Sequence, residues 1–113
     1  MLNFITITAA AFYREVEGKQ LAMVTAGATQ VKAAKLMEVP AQEFESTVNV
    51  GKFVKRSKDF YRLLPDGNKS YGSTKGHTIY KAINAAGKTI YVLYEERPGY
   101  VYNWLLVYRL EEA

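Results

Sequence analysis

The last third of the chain most constrains the fold, because its apolar residues recur at every second position. The period appears in HTIYKAIN, KTIYVLYEE and YVYNWLLVYRLEE, at residues 77–84, 88–96 and 100–112. Alternation rich in β-branched and aromatic residues is typical of strands, and AAG and RPG between the segments are typical turns. The sequence therefore predicts a C-terminal three-stranded antiparallel meander.

Aromatic residues are dense in this meander. If Pro98 and Gly99 form a two-residue loop, Leu93 lies opposite Trp104, and one sheet face becomes largely aromatic. Tyrosine and tryptophan are common anchors of protein contacts. Core packing is one interpretation, and a protein interface on this face is another, as is a homodimer through the last strand, residues 100–111. The interface hypothesis rests on Tyr91, Tyr102, Trp104 and Tyr108.

The N-terminal quarter fits two structures. NFITITAA alternates and is rich in β-branched residues, which predicts a strand. The next segment suits a helix capped by Thr8, with Phe12 and Val16 on one face and Gly18 at its end. Residues 8–26 also suit one long hairpin. The sequence leaves both open.

Two further helices are predicted at residues 29–40 and 40–48, separated at Pro40. Their spacing over residues 30–48 resembles that of a helix-turn-helix. The helix that would enter a DNA groove carries Glu43 and Glu45 and no basic residue, which phosphates would repel. This pattern therefore favours two packed helices over a DNA reader.

The segment GKFVKRSKDFYRLLPDG, residues 51–67, concentrates positive charge. Placed on a helix, Phe53, Phe60, Tyr61 and Leu64 share one apolar face, while the basic side chains lie opposite. The turn signal of Pro65, Asp66 and Gly67 would end this helix, and NKSYGSTKG would follow as a polar loop. The prediction is a basic amphipathic helix over residues 52–64.

Together these elements predict a small α+β fold in one domain, residues 1–113, with two to four short helices packed on the meander and a fourth, N-terminal strand as an option. Apolar residues make up 49% of the chain, enough for a core, and the chain has no cysteine. The absence of thiols and of a signal-like N-terminus predicts a cytoplasmic protein without a membrane segment.

The uneven charge is the main functional signal. The chain has a formal net charge of +4, and residues 52–81 hold eight basic and two acidic side chains. Such a concentration predicts a phosphate-binding surface on DNA or RNA, with Tyr71 or Tyr80 as stacking surfaces. The alternatives are an ordinary solvated face and a surface for an acidic protein. The candidate contact residues are Lys52, Lys55, Arg56, Lys58, Arg62, Lys69, Lys75 and Lys81.

Catalytic signals are weak, since His77 is the one histidine and the GNKSYGST stretch has Ser73 where a phosphate-binding loop needs lysine. We therefore expect a binding protein rather than an enzyme, with neither cofactor nor metal. A second hypothesis is a small protein-binding inhibitor or adaptor, of the anti-defence type that phages and plasmids carry, acting on a host nucleoprotein complex.

Overall fold

A computed structural model describes residues 3–29, 49–57, 59–97, 99 and 103–111, with the backbone alone described for 25–29. These residues form eight strands and one helix. In chain order they are β1 Ile5–Ile7, α1 Ala9–Val16, β2 Gln20–Thr29, β3 Val50–Arg56, β4 Asp59–Leu63, β5 Lys69–Ser73, β6 Thr78–Ile83, β7 Thr89–Glu95 and β8 Asn103–Glu111.

The eight strands form one antiparallel sheet in the order β1-β6-β7-β8-β2-β3-β4-β5. In a flat sheet, β5 and β6 would lie about 29 Å apart, at ~4.8 Å per strand. The chain from Ser73 to Thr78 reaches at most about 18 Å. The sheet must therefore curl, which brings its two ends toward each other.

Helix α1 lies on the concave face of this curled sheet. It begins where Thr8 accepts a hydrogen bond from the amide of Ala11, and the chain turns at Gly18, whose φ is 75°. Phe12 and Val16 on its inner side are fully buried. The helix-plus-strand alternative for residues 8–26 is therefore the one found.

The concave core is an aromatic cluster around α1. Phe12 packs edge-on against Phe53 and Tyr91, with ring centroids 5.7 and 5.2 Å apart. Phe53 in turn stacks on Phe60 at 4.9 Å, which joins β3 and β4 to the helix. A second apolar cluster on the opposite sheet face contains Val24, Ala82, Ile90, Val92, Tyr94, Leu105 and Val107.

The three predicted C-terminal strands are found as β6, β7 and β8, but they are part of an eight-stranded sheet and not a separate three-stranded meander, and the register of β7 and β8 differs from the predicted one. Leu93 pairs with Leu106, and Glu95 pairs with Trp104. The shift is two residues relative to the predicted pairing of Leu93 with Trp104. A two-residue shift preserves the side-chain alternation, so the predicted face assignment still holds.

The predicted α+β class is wrong, because the described residues are mostly antiparallel sheet with a single helix. The predicted basic helix over residues 52–64 is instead the hairpin of β3 and β4. Ser57, with a φ of 53°, turns the chain between them. The predicted polar loop NKSYGSTKG contains β5. The predicted helices within residues 30–48, and the helix-turn-helix resemblance, lie outside the described residues.

Candidate nucleic-acid interface

The basic segment forms the outer face of a three-stranded part of the sheet, β3-β4-β5. Side chains alternate along each strand, and Phe53 and Phe60 point into the aromatic core. Their sequence neighbours therefore point to the convex side. We call this surface the basic–aromatic face. It comprises Lys52, Arg56, Tyr61, Lys69 and Tyr71.

The strand register arranges this face in three rows. Lys52, Leu63 and Lys69 pair across β3, β4 and β5 and form the first row. The middle row is Val54, Tyr61 and Tyr71, and the third is Arg56, Asp59 and Ser73. Cations thus lie on both sides of an aromatic row, with one carboxylate, that of Asp59, among them.

The two tyrosines of the middle row differ in accessibility. Their ring centroids lie 5.9 Å apart with the planes tilted by 53°. The Lys69 ammonium lies 4.9 Å from the centroid of the Tyr61 ring, a cation–π contact. Tyr71 is 62% exposed. It therefore offers an open aromatic surface, whereas Tyr61 is partly covered.

Edge strand β5 packs closely on the core because Gly72 has no side chain. An added Cβ at Gly72 would lie 2.6 Å from the ring of Phe60, which is itself buried. The hairpin turn before β5 is fixed by Asp66, whose carboxylate accepts hydrogen bonds from the backbone and side-chain amides of Asn68. These contacts set the parity of β5 and so direct Tyr71 outward.

Arg62 was predicted to contact phosphates, but it points inward from β4 and is 1% exposed. Its guanidinium donates to the carbonyl oxygens of Leu21 and Asn49 and to the Ser70 hydroxyl. It also lies over the Tyr108 ring, 5.6 Å from the centroid. Burial lowers the pKa of this guanidinium from its ordinary value. Arg62 therefore joins strands from inside and does not belong to the outer surface.

The buried guanidinium also affects its aromatic neighbour. Burial raises the pKa of Tyr108 to about 12, although the nearby positive charge of Arg62 opposes the rise. The phenol is thus neutral at physiological pH. Arg62 therefore lies beside a neutral phenol, and none of the described residues places a carboxylate next to its guanidinium.

Three other predicted cations lie away from the basic–aromatic face. Lys55 has the inward parity of Phe53 and extends at the rim, 5.1 Å from the Tyr13 ring centroid. Lys75 is exposed in the connection between β5 and β6. Lys81 forms an ion pair of 2.6 Å with Glu15 of α1. Lys58 lies outside the described residues.

The Lys81–Glu15 pair belongs to a polar cluster between α1 and the sheet. Tyr91 donates a 2.8 Å hydrogen bond to the same Glu15 carboxylate. Burial alone would raise the pKa of Glu15, but the two hydrogen bonds and the Lys81 charge outweigh it, so its pKa is lowered. Burial, and then the bond to Glu15, raises the pKa of Tyr91. This cluster fixes the helix on the sheet.

Two of the four residues of the predicted aromatic interface lie in the core. Tyr91 and Tyr108 pair across β7 and β8 and are buried against α1. Trp104 is 38% exposed, and the Arg97 guanidinium lies 4.8 Å from its ring. Tyr102 lies outside the described residues. Within the described residues of the last strand, 103–111, β8 is hydrogen-bonded to β7 on one side and to β2 on the other, so this part has no open edge for a second copy of the chain.

Sequence reasoning missed Tyr61, which the helical interpretation placed on an apolar helix face. The available signal was the period of two in DFYRL, where Phe60 and Arg62 alternate with Tyr61 and Leu63. Of the two tyrosines considered for stacking, Tyr71 is exposed. Tyr80 instead packs on the second apolar cluster and meets Phe4 edge-on.

The described residues contain no group of three or more side chains suited to hold a metal ion. Nor does the described part of the chain contain a helix of the length and apolarity needed to cross a membrane. His77 lies 3.9 Å from the Glu95 carboxylate. No family model, curated protein or solved structure matches this chain.

Proposed function

We propose that this protein binds nucleic acid through the basic–aromatic face. The observation that carries the proposal is the side-chain pattern of this face. Lys52, Arg56 and Lys69 are exposed on one convex surface, in the rows that flank two tyrosines. Cations that follow a phosphate backbone, interleaved with aromatic rings, are the usual composition of nucleic-acid-binding surfaces.

The electrostatic contribution comes from Lys52, Arg56 and Lys69, whose side chains are exposed. Lys81 is paired with Glu15, and Arg62 is buried, so neither adds to the surface. Lys52 and Lys69 lie at the outer positions of one row, with the apolar Leu63 between them. Neutralising phosphates there would release counterions, which makes binding favourable and dependent on salt.

The curled fold presents this surface outward. Helix α1 fills the concave side and buries the inner residues of β3 and β4, which forces the alternate residues outward. Leu63 is 40% exposed among the cations. An exposed apolar side chain at this position favours a surface that contacts a sugar or a base over a surface that only faces water.

The proposal is tested by removing two charges together from the face. Lys52→Gln with Lys69→Gln removes two charges from the first row, and Lys88→Gln is the control, because Lys88 is also a partly exposed lysine but lies at the β6–β7 turn beside Glu111. Fluorescence anisotropy with labelled single-stranded and duplex oligonucleotides at low salt measures affinity. We expect the double variant to bind roughly tenfold or more weakly, at ~1 kcal/mol per lost contact, and the control to bind almost normally.

Equal affinity of the double variant and the wild type would refute the site. If the wild type binds no oligonucleotide at low salt, the proposed function itself is wrong, and the second hypothesis of a protein partner becomes the next to test.

A further inference from the structure

The exposed ring of Tyr71 indicates whether the basic–aromatic face binds single-stranded or duplex nucleic acid. Tyr71 lies on edge strand β5 and exposes 62% of its surface. An exposed tyrosine on an edge strand gains little from core packing. Its π-face is available to a planar ligand.

The neighbouring ring, that of Tyr61, packs beside Tyr71 and is itself less available to a ligand. The Lys69 ammonium already covers one side of Tyr61, at 4.9 Å from the ring centroid. Tyr61 in turn lies against Tyr71 at 5.9 Å. Tyr71 is therefore the one open aromatic platform of the middle row, with Tyr61 bracing it.

Cations lie in the two rows that flank the row of this platform. The row of Lys52 and Lys69 and the row of Arg56 each lie two residues from the tyrosine row. At ~3.3 Å per residue, each row lies about 7 Å from the tyrosines. A base on Tyr71 would thus have Lys69 beside it on the same strand, β5. Arg56 lies diagonally across the face on β3, about 12 Å away by the strand and residue spacings, with Asp59 between the two strands.

Only an unpaired base has a face free to stack in this way. In a duplex, both faces of each base are covered by neighbouring base pairs, and sequence is read by elements that enter a groove. Among the described residues, no helix lies on the basic–aromatic face, since α1 packs on the concave side. The face is a sheet surface suited to splayed single strands.

Resting on the proposed function, we infer that the basic–aromatic face binds single-stranded nucleic acid, with one base stacked on Tyr71 and phosphates of the same nucleic-acid chain on Lys52, Arg56 and Lys69. Stacking on an aromatic side chain tolerates any base, so the preference is for unpaired strands and not for a sequence.

The test separates base stacking from phosphate contact. The probes are a labelled oligothymidylate of about twelve nucleotides, an abasic strand of the same length and charge, and a duplex of that length. Three proteins are compared: the wild type, Tyr71→Phe, which keeps the ring, and Tyr71→Thr, which removes the ring but keeps strand propensity. Circular dichroism and thermal melting check that each variant is folded.

We expect the wild type to bind oligothymidylate more tightly than the abasic strand or the duplex. Tyr71→Thr should lose about 5- to 150-fold in affinity for oligothymidylate, the range typical of one stacked base, and lose almost nothing for the abasic strand. Tyr71→Phe should bind as the wild type does.

Equal wild-type affinity for oligothymidylate and the abasic strand would overturn the inference without using any variant. A preference for duplex, or an equal loss by Tyr71→Thr on both single strands, would also overturn it. In each of these cases the proposed function would stand. Failure of the wild type to bind any of the three probes at low salt would instead overturn the proposed function.

Discussion

Replacing Arg62 distinguishes a buried strand-joining residue from a surface phosphate ligand. Its guanidinium donates three hydrogen bonds, to Leu21, Asn49 and Ser70, and lies over the Tyr108 ring. Arg62→Met keeps the length of the side chain but removes every donor. Arg62→Lys keeps the charge but has a single nitrogen, which cannot reach all three acceptors.

The expected change in the free energy of unfolding is the difference between two opposing contributions. Hydrogen bonds from a charged donor contribute ~1.5–3 kcal/mol each, so three of them amount to roughly 5–9 kcal/mol. Methionine also removes the cost of keeping a charge out of water, which is several kcal/mol. The expected loss of unfolding free energy for Arg62→Met is therefore about 2–5 kcal/mol. Arg62→Lys should lose as much or more, because it keeps a buried charge and loses the planar fork.

Urea unfolding measures these changes. The fluorescence of the single tryptophan, Trp104, reports on the β7–β8 pair, and far-ultraviolet circular dichroism reports on the sheet. Lys52→Gln, on the outer face of the adjacent strand, is the matched control and should shift the midpoint little. If Arg62→Lys unfolds at the wild-type urea concentration while losing affinity for oligonucleotides, Arg62 is a surface ligand and the burial argument is refuted.

Two further predictions concern the supports of the site. Gly72→Ala should destabilise the fold by about 1–3 kcal/mol, because the new Cβ would overlap the buried Phe60 ring; an unchanged melting temperature would show that β5 does not pack so closely. The lowered pKa of Glu15 means that its contribution to stability is fully present above its ordinary pKa of 4.5 and is lost as the pH falls through the lower folded-state pKa. Glu15→Gln should therefore flatten the acid side of the stability–pH profile measured by urea unfolding, and an unaltered profile would contradict the ion pair with Lys81.

The sequence predicted an element correctly where its end signals and its apolar period indicate the same secondary structure. Helix α1 has a capping threonine, apolar residues four apart and a glycine after its end, and each signal favours the same helix. The C-terminal strands are rich in β-branched and aromatic residues and are separated by turn residues, which favours strands. The register of β7 and β8 was missed by two residues, because the prediction assumed a two-residue loop at Pro98 and Gly99.

The basic segment was misassigned because its spacing fits two structures. Phe53 and Phe60 are seven residues apart, which places them on one face of a helix and also on one face of a tight hairpin. The turn at Ser57 lacks the Asn-Gly or Asp-Gly pair that marks such hairpins, although its φ is positive. The long-range contacts with α1 decide the outcome, and no local pattern reveals them.

Because the sequence did not distinguish a helix from a hairpin in the basic segment, it did not show which side chains form the candidate site. The charge count placed the basic surface in residues 52–81, but only strand parity separates the outward Lys52 and Arg56 from the inward Arg62. A period of two in residues 59–63 places Tyr61 on the outer face, but its ring contact with Tyr71, ten residues away, follows only from the pairing of β4 with β5.

The salt dependence of oligonucleotide binding tests the central claim most directly. Anisotropy titrations of a labelled single strand over a series of salt concentrations give the slope of log affinity against log salt. With contacts from Lys52, Arg56 and Lys69, we expect a slope near −2, at about −0.7 per phosphate, and a slope shallower by about 1.4 in the Lys52→Gln, Lys69→Gln variant. Absence of binding at low salt, or a slope that is the same in both proteins, would contradict the account.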